Sequence, residues 1–231
     1  MIPICIATVR GAGLPVLLES IRQYAPEHPV YLRGPQAVIE KFDAHLKIFG
    51  KPRNFGEDYN QVIFAALKDY DEVLVANDDI VLTPDSVRLL MEDVGIIKTM
   101  NSVRPGPGWV ASRSDAARPA QNVRNREGDE TLNFYKYPSE GLIRVAQEVS
   151  PIFAWVSKDA FGEGFPPLNW YSDDVHCQDA RRRGYVHFIS ASYVHHIGSN
   201  TIGFNAQKLH DEAMPWLKEH RPEYVAAWFG S

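Results

Sequence analysis

Apolar positions along this chain fall into two alternating textures. Ile2 to Val9 is a short, almost unbroken apolar run closed by Gly11-Ala12-Gly13, the pattern of a buried strand. Leu14, Leu17, Leu18 and Ile21 follow at helical spacing over 14–24. Pro29 to Arg33 is again short, apolar and bounded by Pro and Gly, predicting a second strand, and 36–49 returns to helical spacing. Tyr59 to Lys68 predicts a further helix and Glu72 to Ala76 a strand. Beyond Pro84, the positions Val87, Leu90, Met91 and Val94 predict another helix. Strands alternating with helices of about ten residues predict an α/β fold, a mostly parallel sheet with helices on both faces. Such sheets bind ligands beyond the carboxyl ends of their strands.

The middle breaks this rhythm. Between Ser102 and Glu130 stand Arg104, Arg113, Arg118, Arg124 and Arg126, several Pro and Gly, and little periodicity, which predicts a loop-rich excursion. Order returns with the apolar stretch Pro151 to Phe161. The polar cluster Trp170-Tyr171-Ser172-Asp173-Asp174 follows, then a helix carrying Arg181-Arg182-Arg183 and closed by Gly184. Tyr185 to Val194 reads as a strand that delivers His195-His196, and 205–229 as helical stretches interrupted by Pro215 and Pro222.

Bulk properties narrow the class. A chain of 231 residues, 45% hydrophobic and 23% charged, fits one substantial globular domain. The net charge of −5 argues against a nucleic-acid partner held by bulk electrostatics. Cys5 and Cys177 are too few for a disulfide framework, the start lacks the basic segment of a secretory signal, and no apolar stretch reaches the ~18 residues of a membrane span. The expectation is a cytoplasmic protein without a membrane span.

The candidate chemistry is acidic. Asn77-Asp78-Asp79 ends a strand that reads as buried, where adjacent carboxylates repel and resist desolvation. Hard oxygen ligands at a strand-end turn suit Mg²⁺ or Mn²⁺, with nucleotide phosphates completing the shell; an Asx-turn before a Pro-initiated helix would need only one of the three. Asp173-Asp174 reads either as a general base with its neighbour raising its pKa, or as acids at a helix N-terminus. In His195-His196, an imidazole would tilt the metal toward Mn²⁺. The chain has no GxxxxGK[ST] loop, no full dinucleotide fingerprint after Gly11-Ala12-Gly13, and no GxSxG element.

The order of these segments is more specific than any one of them. A first strand ending in Thr8-Val9-Arg10 precedes Asn54-Phe55-Gly56, then VLVANDDIVLTPD, IFAWVSKDAFGEGF, WYSDDVHCQDARRRGY and VHHIGSNT. This resembles the GT-A-fold glycosyltransferases, in particular the inverting family-2-like group with a DXD-type motif. The likeness covers most of the chain outside the arginine-rich middle. It implies one GT-A (Rossmann-like) domain over 1–231: a nucleotide-binding half (1–100), a variable region (101–150), and an acceptor and catalytic half with the tail (151–231).

The resemblance also implies roles. Asp79 would hold the cation that bridges a nucleotide diphosphate, with Asp78 and Asn77 contacting ribose, sugar or metal-bound water. Thr8 and Arg10 would meet the base and ribose of the donor, Asn54 and Asp58 the far side of that pocket. Asp173 or Asp174 would deprotonate the acceptor hydroxyl, and His195 would reach the metal or diphosphate. The implied activity is transfer of a hexose from a UDP-sugar to an acceptor hydroxyl with Mn²⁺ (or Mg²⁺); the small acceptor region adds the expectation that the donor is hydrolysed when no acceptor is present. Two alternatives stand beside it: a sugar-1-phosphate nucleotidyltransferase, for which Arg10-Gly11-Ala12-Gly13 is a faint version of the required loop, and a non-catalytic nucleotide- or glycan-binding domain.

Overall fold

A computed structural model describes residues 1–100, 103, 105–114, 142–197 and 206–230. Among these residues nine strands form one sheet in the order β3-β2-β1-β4-β8-β6-β9-β5, with β7 paired to β9 off this path. The strands are β1 (Ile4–Ala7), β2 (Val30–Gly34), β3 (Leu46–Phe49), β4 (Glu72–Asn77), β5 (Ile80–Leu82), β6 (Pro107–Ser114), β7 (Arg144–Ala146), β8 (Phe153–Ser157) and β9 (Val186–His196). The helices are α1 (Leu14–Tyr24), α2 (Gln36–Ile39), α3 (Phe55–Ala66), α4 (Ser86–Thr99), α5 (Lys158–Phe161), α6 (Ser172–Arg182), α7 (Ala206–His220) and α8 (Pro222–Phe229).

The parallel reading holds for one half of the sheet. β1, β2, β3 and β4 run parallel, joined by crossovers through α1, α2 and α3. Beyond β4 the sheet is mixed: β8 is antiparallel to both β4 and β6, β6 is parallel to β9, and β5 is antiparallel to β9. Both faces are covered, so the strands alternate between two cores. Ile4, Ile6, Leu74 and Ala76 pack with α1 and α4 residues, whereas Cys5, Val73 and Val75 pack with α3 residues such as Tyr59, Val62 and Ile63.

Three sequence expectations are corrected, the simplest being the break expected at Pro215, which α7 runs through from Ala206 to His220. Only Gln36–Ile39 of the helix expected over 36–49 is helical, and Leu46–Phe49 is the edge strand β3. Leu46-Lys47-Ile48-Phe49 lies half exposed at the sheet margin, where the pairing with β2 decides the conformation. The excursion expected over 102–130 begins instead with β6, whose eight residues are all buried. Two of its polar side chains have internal partners: Arg113 donates to the carbonyls of Ser190 and Leu142, and the Ser112 and Ser192 hydroxyls lie 2.7 Å apart. Arg104, Arg118, Arg124 and Arg126 lie outside the described residues.

Candidate functional site

The carboxyl ends of β1 and β4 meet at the acidic turn. β4 ends at Asn77, Asp78 and Asp79 make the turn, and β5 leaves at Ile80 to pair with β9. The loop after β1 is pressed onto this turn. A Cβ on Gly13 would stand 2.5 Å from the Asp78 carbonyl oxygen and 2.7 Å from the Asp79 Cα, so only glycine permits the approach. The Thr8 hydroxyl donates to the Asp78 carboxylate and accepts from the Gly11 amide at 2.9 Å. Burial raises the Asp78 carboxyl above its usual range; the Thr8 hydrogen bond opposes this and the neighbouring Asp79 charge adds to it. Beneath the turn, the Tyr59 hydroxyl lies 3.0 Å from the Ala76 carbonyl oxygen and 3.2 Å from Asn77 Oδ1. Burial, then the charges of Asp78 and Asp79, push the Tyr59 phenol well up.

Asp79 is buried and faces the end of β9. His196 Nε2 lies 3.2 Å from Asp79 Oδ1, and the Ile197 amide donates to the Asp79 carbonyl at 2.8 Å. His195 was the histidine expected here, and the structure sets its neighbour His196 beside Asp79. Neighbours on a strand project to opposite faces. His195, opposite Val81 in the β5–β9 ladder, is exposed with its ring edge-on to Tyr193 at 5.2 Å, while His196, opposite Ile80, turns toward the acidic corner.

The other residues expected to line a nucleotide pocket divide. Arg10 is exposed in the loop after β1. Asn54 caps α3: its Oδ1 accepts from the Glu57 amide at 2.9 Å, and its amide nitrogen donates to the Glu57 carboxylate. Asp58 is buried against the end of β2, with Arg33 Nη2 2.9 Å from Asp58 Oδ1 and the Arg53 amide donating to Oδ2 at 3.1 Å. Burial raises the Asp58 carboxyl, with the Arg53 amide and the Arg33 charge opposing. Arg33 also donates to the Gly50 and Lys51 carbonyls and to Gln61 Oε1. Asn54 and Asp58 are thus engaged in the cap of α3 and in its tie to the end of β2.

Asp173 and Asp174 occupy the first turn of α6, Asp174 buried and Asp173 half-buried. The segment before them is fastened to α3. Asn60 exchanges two 2.8 Å hydrogen bonds with the Phe165 backbone, and the Gly56 amide donates to the Leu168 carbonyl at 3.1 Å. A Cβ on Gly56 would meet the Pro166 carbonyl oxygen at 1.9 Å and Ser172 Oγ at 2.7 Å. Because α3 starts just past the carboxyl end of β3, this packing brings the second acidic pair to the carboxyl edge of the parallel strands. The inner face of α6 is fixed by His176, whose Nδ1 accepts from the Trp109 indole at 2.9 Å while Nε2 lies 3.0 Å from the Phe161 carbonyl oxygen.

The acidic corner suits a divalent cation in part. Asp79 and His196 offer a carboxylate and an imidazole, a donor set acceptable to Mn²⁺, and His196 Nδ1 is buried with no hydrogen-bond partner among the described residues. The described residues hold no cluster of three or more such ligands, so phosphate oxygens or water would complete the shell. Two residues here were not singled out in the sequence: Tyr59 and Arg33 stood there only as positions in a helix and a strand. The choice of His196 within the His195-His196 pair was within reach through the period-two alternation of a strand.

No protein-family model and no curated protein sequence matches the chain. Solved structures do. A crystal structure of S. aureus TarS 1-349 superposes with a TM-score of 0.55 at 13% identity, covering 84% of this chain and 60% of that one. The structure of the same fragment in complex with UDP-GlcNAc gives a TM-score of 0.56 at 13% identity, over 84% of this chain and 57% of that one. The chain thus spans less than two thirds of these neighbours. No helix among the described residues is long and apolar enough to cross a membrane. At this identity the likeness carries the architecture: the chain has the GT-A-type α/β fold that TarS has.

Proposed function

We propose that the chain is a glycosyltransferase that takes a sugar from a nucleotide-sugar donor, a UDP-hexose, and passes it to an acceptor hydroxyl. The observation that carries this reading is the corner where Asp79 meets His196 beyond the carboxyl end of β4, in the fold of a protein crystallised with UDP-GlcNAc. A divalent cation bound there, Mn²⁺ or Mg²⁺, supplies charge neutralisation for the diphosphate leaving group. Asp79 and His196 hold that ion, while Thr8, Gly11 and Gly13 fix the turn from the β1 side.

Asp173 or Asp174 takes the proton of the acceptor hydroxyl as its oxygen attacks the anomeric carbon, and the bond from that carbon to the diphosphate oxygen breaks. A single displacement inverts the anomeric configuration. With water in place of the acceptor, the same base directs hydrolysis of the donor. The test is incubation with UDP-GlcNAc, UDP-glucose or UDP-galactose, with and without MnCl₂. Metal-dependent release of UDP is expected, whereas pyrophosphate made from UTP and a sugar 1-phosphate would overturn the reading in favour of a nucleotidyltransferase.

A further inference from the structure

Tyr171 is the only non-glycine residue among those described with a left-handed backbone, φ 67° and ψ 5°. Glycine or asparagine takes that conformation readily, whereas a Cβ-bearing aromatic does so against a steric penalty. Strained backbone of this kind persists only where its surroundings over-determine it, and it gathers at functional sites. Tyr171 directly precedes α6 and stands within three residues of both Asp173 and Asp174.

What holds it comes from the C-terminal helices. The Tyr171 hydroxyl lies 2.8 Å from His210 Nδ1 on α7, and its ring packs against Trp228 at 5.9 Å and Phe229 at 5.6 Å on α8. His210 in turn meets Phe229 edge-on at 5.3 Å. The same two helices grip α6 farther along. Arg221 donates to both Asp179 oxygens at 3.1 and 2.8 Å, Tyr224 donates to Asp179 at 2.6 Å, and Arg182 pairs with Glu223 at 2.6 Å. Leu168, Tyr171 and Val175 share a small core with Ala213, Leu217 and Tyr224. The turn that aims the acidic pair is therefore set between α3 on one side and α7–α8 on the other.

The geometry points to Tyr171 as a positioning residue: its side chain, locked by His210, Trp228 and Phe229, holds the turn that directs Asp173 and Asp174 at the acceptor hydroxyl. The C-terminal helix pair is then part of the catalytic apparatus and not an appended tail. This rests on the glycosyltransferase reading above and adds a positioning role to it.

The test compares wild type, Tyr171→Phe and Tyr171→Gly by steady-state UDP release from UDP-GlcNAc with MnCl₂, as kcat and donor KM, across pH. Tyr171→Phe removes the bond to His210 and keeps the ring; Tyr171→Gly accepts the left-handed turn and loses the anchor altogether. Expected are a fall in kcat of about tenfold for Tyr171→Phe and about a hundredfold for Tyr171→Gly, the cost of a misaimed group, with donor KM within about twofold. The limb of the pH–rate profile set by the base should also move. A side chain that served stability alone would lower the melting temperature and leave kcat, donor KM and the pH profile of the folded enzyme unchanged; that result in Tyr171→Phe overturns the inference. If the wild type releases no UDP from any sugar nucleotide, the proposed function fails first and this inference with it, an outcome distinct from active but unaltered variants.

Discussion

His196 Nε2 lies 3.2 Å from Asp79 Oδ1, and the residue beside it, His195, projects from the opposite face of the same strand. The contact ties the end of β9 to the β4–β5 turn and selects which of two adjacent histidines shares the acidic corner. Asp79→Ala and His196→Ala are each expected to remove most of the Mn²⁺-dependent stabilisation by UDP, about 2.7 kcal/mol when ligand stands at a hundred times its Kd. His195→Ala should keep it. A thermal-shift titration with UDP, in the presence and absence of MnCl₂, reads all three; a His196→Ala response equal to wild type would remove this imidazole from the site.

The buried Arg33–Asp58 pair ties α3 to the carboxyl end of β2. Their side chains are 1% and 7% exposed at 2.9 Å, so neither charge is left to water. Asp58→Ala strands the guanidinium and should lower the unfolding free energy by roughly 3–5 kcal/mol in urea denaturation. Asp58→Asn keeps an acceptor for the Arg53 amide and should cost less. Replacing both residues by leucine should recover part of the loss, because the penalty arises from an uncompensated charge more than from the missing pair.

Acid sensitivity follows from two imidazoles that clamp Trp109. His176 Nδ1 accepts from the indole N–H, and His187 Nδ1 accepts from the Trp109 backbone amide, both at 2.9 Å. Both donors have fixed hydrogens, so each ring is neutral and carries its proton on Nε2, which donates to the Phe161 and Cys177 carbonyls. Burial lowers both rings to about 4. The unfolded chain binds protons below about 6.5 and the folded rings do so only near 4, so this stability is whole above 6.5 and is lost as pH falls from there toward 4. The loss is on the order of 2 kcal/mol per ring at pH 5. His187→Gln should lower stability at pH 7 and flatten the slope of the urea midpoint against pH between 6.5 and 4.5; an unchanged slope would refute the assignment.

How much of this was legible depended on whether the partner lay nearby in sequence. The run Val73 to Ala76 and the helical spacing of 14–24 encode their own burial, and both elements form where the pattern puts them. Leu46–Phe49 did not, because an edge strand of four residues is decided by the strand it pairs with. β6 was hidden for a related reason. Ser112 and Arg113 look like loop residues until a carbonyl and a hydroxyl from β9 are placed against them. In the site, the acidic turn was visible as residue types, whereas the choice of His196 over His195 needed the ladder that sets Ile80 opposite His196. Asn54 shows the converse: a polar residue at a plausible pocket position has its oxygen committed to the Glu57 amide as a helix cap.

Gly13 offers the sharpest separation of site from scaffold. Its backbone is ordinary, φ −87° and ψ −17°, so alanine there meets no conformational penalty. The obstacle is the acidic turn itself, whose Asp78 carbonyl and Asp79 Cα would lie 2.5 and 2.7 Å from the added methyl. Both are backbone atoms that cannot swing aside, so Gly13→Ala must push the loop after β1 and the Asp78–Asp79 turn apart. The strands beneath them are unaffected, and the melting temperature should drop only by a few degrees, the mark of a strain of about 1–2 kcal/mol. The displacement carries Asp79 away from His196 and Asp78 away from the Thr8 hydroxyl, so Mn²⁺-dependent UDP release should fall by about a hundredfold or more. Gly106→Ala, where an added Cβ meets nothing within 4 Å, is the matched control and should leave the rate at the wild-type level. Equal rates in the two variants would show that the turn between β4 and β5 takes no part in the reaction.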